Sequence, residues 1–273
     1  MPESVSSLPV TPDPASPGHE PGGPIPARAV MVVLPAFNEE QSVGLVVKDV
    51  IAALPGAAIL VVDDGSSDRT AEQSRLAGAQ VISNAFNLGV GGAMRVGFKV
   101  AASHGYQAIV QVDADGQHDP HDITKLLEAL GESPAPHVVI GARFAGQGDL
   151  VVPGARKLAM RLLARYLSRT TGTRLTDVTS GFRAHNRAAI ELFARTYPAD
   201  YLSDTVESLI IAVRAGGTVA QVPVAMRPRF AGNPSQSSLK AATYLVRVIL
   251  VLALSVFRSH SNSRWPTPKE VAP

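Results

Sequence analysis

Cysteine is absent from this chain, which excludes disulfide bonds and thiolate metal sites and fits a reducing compartment. A surplus of one charge is absent as well. Against 25 Lys and Arg stand 23 Asp and Glu, so the formal charge of +2 gives no global field to attract nucleic acid, and any anion site must be local. The last hydrophobic stretch, Leu239 to Phe257, lacks the roughly 20 apolar residues that a bilayer span needs. It is broken by Lys240 and Arg247, which leaves ten uninterrupted uncharged residues from Val248. An amphipathic helix in a membrane interface is expected over residues 237–258, with a helix packed on the domain as the alternative. The first 27 residues lack a basic start followed by an apolar core and hold eight prolines, so they read as a disordered leader rather than a signal. Glycine-rich phosphate loops are missing too. Pro35-Ala36-Phe37-Asn38-Glu39-Glu40 follows the first apolar run, with no Gly-x-Gly-x-x-Gly and no Gly-Lys-Ser, which argues against a dehydrogenase or a P-loop ATPase.

What is present is an alternation. With 273 residues, 45% of them hydrophobic, the chain can bury one substantial core. Short β-branched runs at Ala29 to Leu34, Ile59 to Val62, Val81 to Ile82, Ala108 to Val112 and Val138 to Ile140 are separated by stretches of helical spacing. That order predicts a parallel sheet covered by helices. Val43, Val46, Val47, Val50, Ile51 and Leu54 mark the first helix, with Asn38 and Gln41 as a candidate N-terminal cap. Further helices are expected from Ser67 to Gly78, Gly91 to Ser103 and Pro120 to Leu130. Beyond Gly141 the pattern turns helical at Lys157 to Leu167, Arg187 to Thr196 and Ser203 to Ala215, before one more strand at Val219 to Val224. The carboxyl ends of the strands should form the ligand edge of such a sheet.

Asp113-x-Asp115-x-Gln117 follows a buried run directly. Two carboxylates and an amide oxygen are hard donors that suit Mg²⁺ or Mn²⁺, with further oxygens from a bound diphosphate. A calcium loop fails, because the glycine comes fourth rather than sixth and no Glu closes the loop. Asp63-Asp64-Gly65-Ser66-Ser67-Asp68 holds more carboxylates than a helix cap requires, and one of them can accept hydrogen bonds from a ribose or base. His118 and His121 beside the acidic motif invite zinc, but a solvated loop before Pro120 needs no metal and the surrounding donors are oxygens, which argues against it. Asp204 and Glu207, three apart, are either a general base or a solvated pair near a helix start.

These segments, in order and together with Asn87-Leu88-Gly89 and Ser180-Gly181-Phe182-Arg183, resemble family 2 inverting glycosyltransferases, above all the dolichyl-phosphate mannosyltransferase-like branch. The resemblance covers about residues 29 to 236. It implies a glycosyltransferase A fold, a nucleotide-binding and mostly parallel α/β sheet flanked by helices, followed by the C-terminal amphipathic helix and a flexible tail over 259–273. Pro35, Phe37, Glu39, Val62 and Asp64, with Asp113 and Ala114, would line the nucleotide. Asp113, Asp115 and Gln117 would hold the metal, and Arg143 would reach the phosphates. Arg156 and Arg229 would hold a lipid phosphate. The chain departs from the family where Phe37 replaces a common Tyr, where Met160 replaces a serine, and where no lysine follows Arg229-Phe230-Ala231-Gly232. The implied reaction moves a hexose from a nucleotide diphosphate sugar to a polyprenyl phosphate at the cytoplasmic face of a membrane. If the acceptor is an alcohol instead, Asp204 would take its proton. The rival readings are a sugar-phosphate nucleotidyltransferase and a non-catalytic membrane scaffold.

Overall fold

Aliphatic runs become strands here because their side chains are buried on both faces of one sheet. The computed structural model describes residues 23–143, 164–165, 167–169, 171–198 and 204–228. Its strands are β1 (Val30–Ala36), β2 (Ala58–Asp63), β3 (Gln80–Ser83), β4 (Ala108–Gln111), β5 (Val138–Ala142), β6 (Arg183–Asn186) and β7 (Val219–Pro223). They form a single sheet in the order β3-β2-β1-β4-β6-β5-β7. β6 runs antiparallel between β4 and β5, while the other pairings are parallel. The mostly parallel sheet expected from the alternation is present.

Period-two alternation divides the core. Met31 and Val33 of β1, with Val62, Ile109 and Val138, face a layer built by α3 (Gly89–Ser103), α5 (Arg187–Thr196) and α6 (Asp204–Arg214). Val30, Val32 and Leu34, with Val61, Val110 and Val139, face α1 (Val43–Ala53) and α4 (Ile123–Leu130). α1 buries Val43, Val46, Val47 and Val50, the stripe expected of an amphipathic helix. Each such side chain, fully buried, stabilises the fold by about 1.5–3 kcal/mol relative to exposure.

Several local expectations are corrected. Asn38 does not cap α1: Ser42 stands at the N-cap, and its Oγ donates to Glu39 Oε2 at 2.6 Å. Asn38 is left-handed, at φ 54°, and its Oδ1 accepts from the Ser67 amide at 2.9 Å, tying the end of β1 to the loop after β2. α2 (Thr70–Leu76) begins three residues later than expected, where Asp68 accepts from the Thr70 amide at 2.9 Å. β6 was not expected as a strand. Its sequence, Arg-Ala-His-Asn, has no β-branched residue, and pairing on both sides holds it. Of the helix expected over residues 157–167, only residues 164, 165 and 167 are described, and they are helical. Of the leader expected over residues 1–28, residues 1–22 lie outside the described residues, as do the interface helix and the tail, whereas residues 23–28 are described, with Ile25 packed against the core and a 3-10 turn at Ala27–Ala29.

Candidate active site

The carboxyl ends of β1, β2, β4 and β5 open on one edge of the sheet, and the antiparallel β6 starts there. Arg183 binds α6 to the same edge. Its guanidinium is fully buried and donates to Ser180 O at 2.8 Å, Val178 O at 2.8 Å, Thr205 O at 2.7 Å and Ser208 Oγ at 3.2 Å. One side chain thus fixes both the turn before β6 and the first turn of α6.

At the end of β2 both carboxylates are buried. Asp63 Oδ1 accepts from the Ser66 amide at 3.1 Å. Asp64 Oδ1 accepts from Asn84 Nδ2 at 2.8 Å and the Leu88 amide at 2.9 Å, while its Oδ2 accepts from the Gly89 amide at 2.7 Å. Leu88 and Gly89 begin α3, so Asp64 satisfies free amides at a helix start. Pro35 and Val62 are neighbours in the ladder. The Val62 side chain lies in the core, Ala114 is buried, and Phe37 is exposed. The Glu39 amide donates to Thr70 Oγ1 at 2.8 Å.

Beyond β4, the Asp113 side chain is 39% exposed, whereas Asp115 is buried and accepts from the Gln117 amide at 3.0 Å. A Cβ on Gly181 would stand 3.0 Å from both Asp113 Oδ1 and Gln111 Nε2, so glycine is what lets the turn before β6 pass beneath the acidic loop. Among the described residues no three His, Cys, Asp or Glu side chains group closely enough to hold a metal on their own. Two carboxylates and an amide nevertheless fit a hard divalent cation that completes its shell with oxygens from a bound diphosphate. The zinc reading finds no such support. His121 pairs with Asp119 at 3.0 Å, while His118 is buried and stacked on Phe182 with ring centroids 4.9 Å apart.

Arg143, at the end of β5, forks onto the fully buried Asp177: Nε donates to Oδ2 at 2.6 Å and Nη2 to Oδ1 at 3.0 Å, with Nη2 also reaching Thr179 Oγ1 at 2.9 Å. Burial alone would raise the Asp177 proton affinity. The Arg143 hydrogen bonds and charge overcome it and hold the carboxyl below its ordinary value. Asp204 opens α6 at 6% exposure, and its Oδ2 is buried without a hydrogen-bond partner among the described residues. Burial first, and the charge of Asp113 in addition, push this carboxyl up to about 6, against the opposing effect of Arg183. Glu207 follows one turn later on α6. The structure therefore brings together the segments around Pro35, Asp64, Asp113, Arg143 and Asp204. Arg156, Met160 and Arg229 lie outside the described residues. Sequence reasoning missed Asp177, which sits 34 residues from its partner with no local signal. It flagged Arg183 only as part of a motif.

Residues 31–193 match the family described as glycosyl transferase family 2. The chain is 30% identical over 239 residues to a polyprenol monophosphomannose synthase of Mycolicibacterium smegmatis, covering 84% of this chain and 89% of that one. It is 31% identical over 217 residues to an undecaprenyl-phosphate mannosyltransferase of Micrococcus luteus, covering 76% and 87%. Among solved structures, glucosyl-3-phosphoglycerate synthase from Mycobacterium tuberculosis, in complex with Mn²⁺, UDP and glucosyl-3-phosphoglycerate, superposes with a TM-score of 0.67 at 24% identity. That match covers 90% of this chain and 87% of the other. The likeness establishes the glycosyltransferase A fold.

Proposed function

The chain belongs to glycosyl transferase family 2 and is a glycosyltransferase, and from that premise we propose that it moves a hexose, with inversion, from a nucleotide diphosphate sugar to a polyprenyl phosphate. The observation that carries the reading is the partly exposed Asp113 carboxylate just beyond β4, on the edge where strands β1 and β2 also end. In this reading Pro35, Phe37, Glu39, Asp64 and Ala114 surround the nucleoside, while Val62, fully buried in the core, only backs the site. Asp113, Asp115 and Gln117 would hold Mg²⁺ or Mn²⁺, which when bound would supply positive charge to the departing nucleoside diphosphate. Arg143, oriented by Asp177, adds a second positive group there.

A polyprenyl phosphate arrives as an anion, so it needs basic partners, Arg156 and Arg229, and no base. The relatives from Mycolicibacterium smegmatis and Micrococcus luteus support this acceptor class by name. The stretch from Leu239 to Phe257 would bring the enzyme to the cytoplasmic face of the membrane as a peripheral protein. No helix among the described residues is long and apolar enough to cross it. One observation favours a second reading: the buried, unpartnered Asp204 Oδ2 suits a base that takes a proton from an alcohol acceptor. Release of nucleoside diphosphate from GDP-mannose, UDP-glucose and TDP-glucose, with and without polyprenyl phosphate and Mn²⁺, is the test. Release from a single donor that needs both lipid and cation supports the proposal. Release that ignores the cation removes the metal from it.

A further inference from the structure

One buried group at this edge has no role in the reading above. His118 lies five residues beyond Asp113 and is 4% exposed. Its Nδ1 accepts a hydrogen bond from the Asp113 amide at 3.3 Å, and its Nε2 stands 3.8 Å from Asp113 Oδ2. An Nδ1 that accepts carries no proton. That leaves Nε2 as the nitrogen turned toward the carboxylate.

The ring itself is fixed from behind. It stacks on Phe182 at an interplanar angle of 16°, and Phe182 in turn presses on Gly141, where a Cβ would fall 2.7 Å from its ring. The backbone is fixed as well, since His118 bridges Met226 and Gln117 O accepts from the Arg227 amide at 2.8 Å. Asp113, by contrast, leaves the sheet after β4 and has its carboxylate in partial contact with solvent. The rigid partner in the pair is the histidine.

We infer that His118 is a positioning residue for Asp113: through its Nδ1 acceptor, rather than through ring packing, it fixes the Asp113 amide and so the backbone from which the carboxylate reaches the divalent cation. The inference rests on the proposed role of Asp113 as a metal ligand. Groups that orient a ligand in this way commonly change metal affinity ten- to a hundredfold when removed.

Two substitutions separate the acceptor from the ring. His118→Phe keeps an aromatic ring on Phe182 and removes the nitrogen. His118→Asn removes the ring and offers Oδ1 in place of Nδ1. Mn²⁺ affinity is measured by calorimetry on the full chain in the presence of UDP and, separately, GDP, alongside metal-free binding of the same nucleotides. His118→Phe is expected to weaken Mn²⁺ binding about tenfold or more while leaving metal-free nucleotide binding unchanged, and His118→Asn to restore Mn²⁺ affinity to within about threefold of the parent. The reverse pattern, with Asn weak and Phe normal, overturns the inference in favour of packing. If His118→Phe does not fold, the Asn variant decides alone, and a tenfold loss in it overturns the inference. Asp113→Asn is the control. If it leaves Mn²⁺ affinity unchanged, the reading of Asp113 as a ligand fails, a result distinct from any outcome at His118.

Discussion

Asp113, at the end of β4, raises the proton affinity of Asp204, at the start of α6: its negative charge adds to the burial that pushes the Asp204 carboxyl up to about 6. Two carboxylates from elements 91 residues apart in sequence thus share one field, with Arg183 opposing it. The folded chain holds the Asp204 proton more tightly than the unfolded chain does, whose ordinary value is 3.8. Its deprotonation therefore costs stability, a cost absent below about pH 4 and complete above about pH 6.

From this relationship Asp204→Asn is expected to stabilise the fold at pH 7.5 by about 1–3 kcal/mol, the order of two pKa units. The gain should vanish toward pH 4. Urea denaturation across that range measures it, and a gain that does not change with pH would show that the Asp204 charge is not the cause.

Asp64 has its own consequence. With three hydrogen bonds to Asn84, Leu88 and Gly89, its carboxylate is tied into the start of α3. Asp64→Ala is expected to cost about 2–4 kcal/mol of stability, since hydrogen bonds to a charged group contribute about 1.5–3 kcal/mol each and are not additive. Chemical denaturation reads this directly. A loss under about 0.5 kcal/mol, together with weakened nucleotide binding, would return Asp64 to a purely ligand-facing role.

The Arg143 and Asp177 pair behaves differently from a surface pair because Asp177 is fully buried. Asp177→Ala removes the partner that fixes the guanidinium, and breaking a buried pair costs about 3–5 kcal/mol. The Asp177 carboxyl lies below its ordinary value, so the pair stabilises the fold above the unfolded pKa, and that contribution is lost as pH falls through the folded one. The wild type should therefore lose stability on acidification more steeply than Asp177→Asn. Thermal melts between pH 7 and pH 3 compare them, and parallel slopes would contradict the account.

The sheet was legible where burial on both faces forces uniform aliphatic runs, as in Val30 to Leu34 and Ile59 to Val62. It was not legible at β6, where Arg183 is buried because four oxygen acceptors surround its guanidinium, an arrangement that needs residues 178, 180, 205 and 208 together. The acidic loop after β4 could be read locally, because its residues lie within five positions of one another. Asn38 could not: its side chain is used 29 residues away, at Ser67, and so it does not cap the helix that follows it. The Asp177 partner of Arg143 and the Asp113 neighbour of Asp204 were hidden for the same reason.

Transfer of radiolabelled hexose from the donor identified by turnover to a polyprenyl phosphate in anionic liposomes tests the central claim most directly. Label extracted into the lipid phase is measured for the wild type, Asp113→Ala and Arg229→Ala. The account predicts Mn²⁺-dependent label in the lipid phase, abolished in Asp113→Ala and reduced at least tenfold in Arg229→Ala. Efficient transfer to a soluble alcohol acceptor that survives Arg229→Ala and is lost in Asp204→Ala would contradict it, and would make Asp204 the base of a different acceptor chemistry.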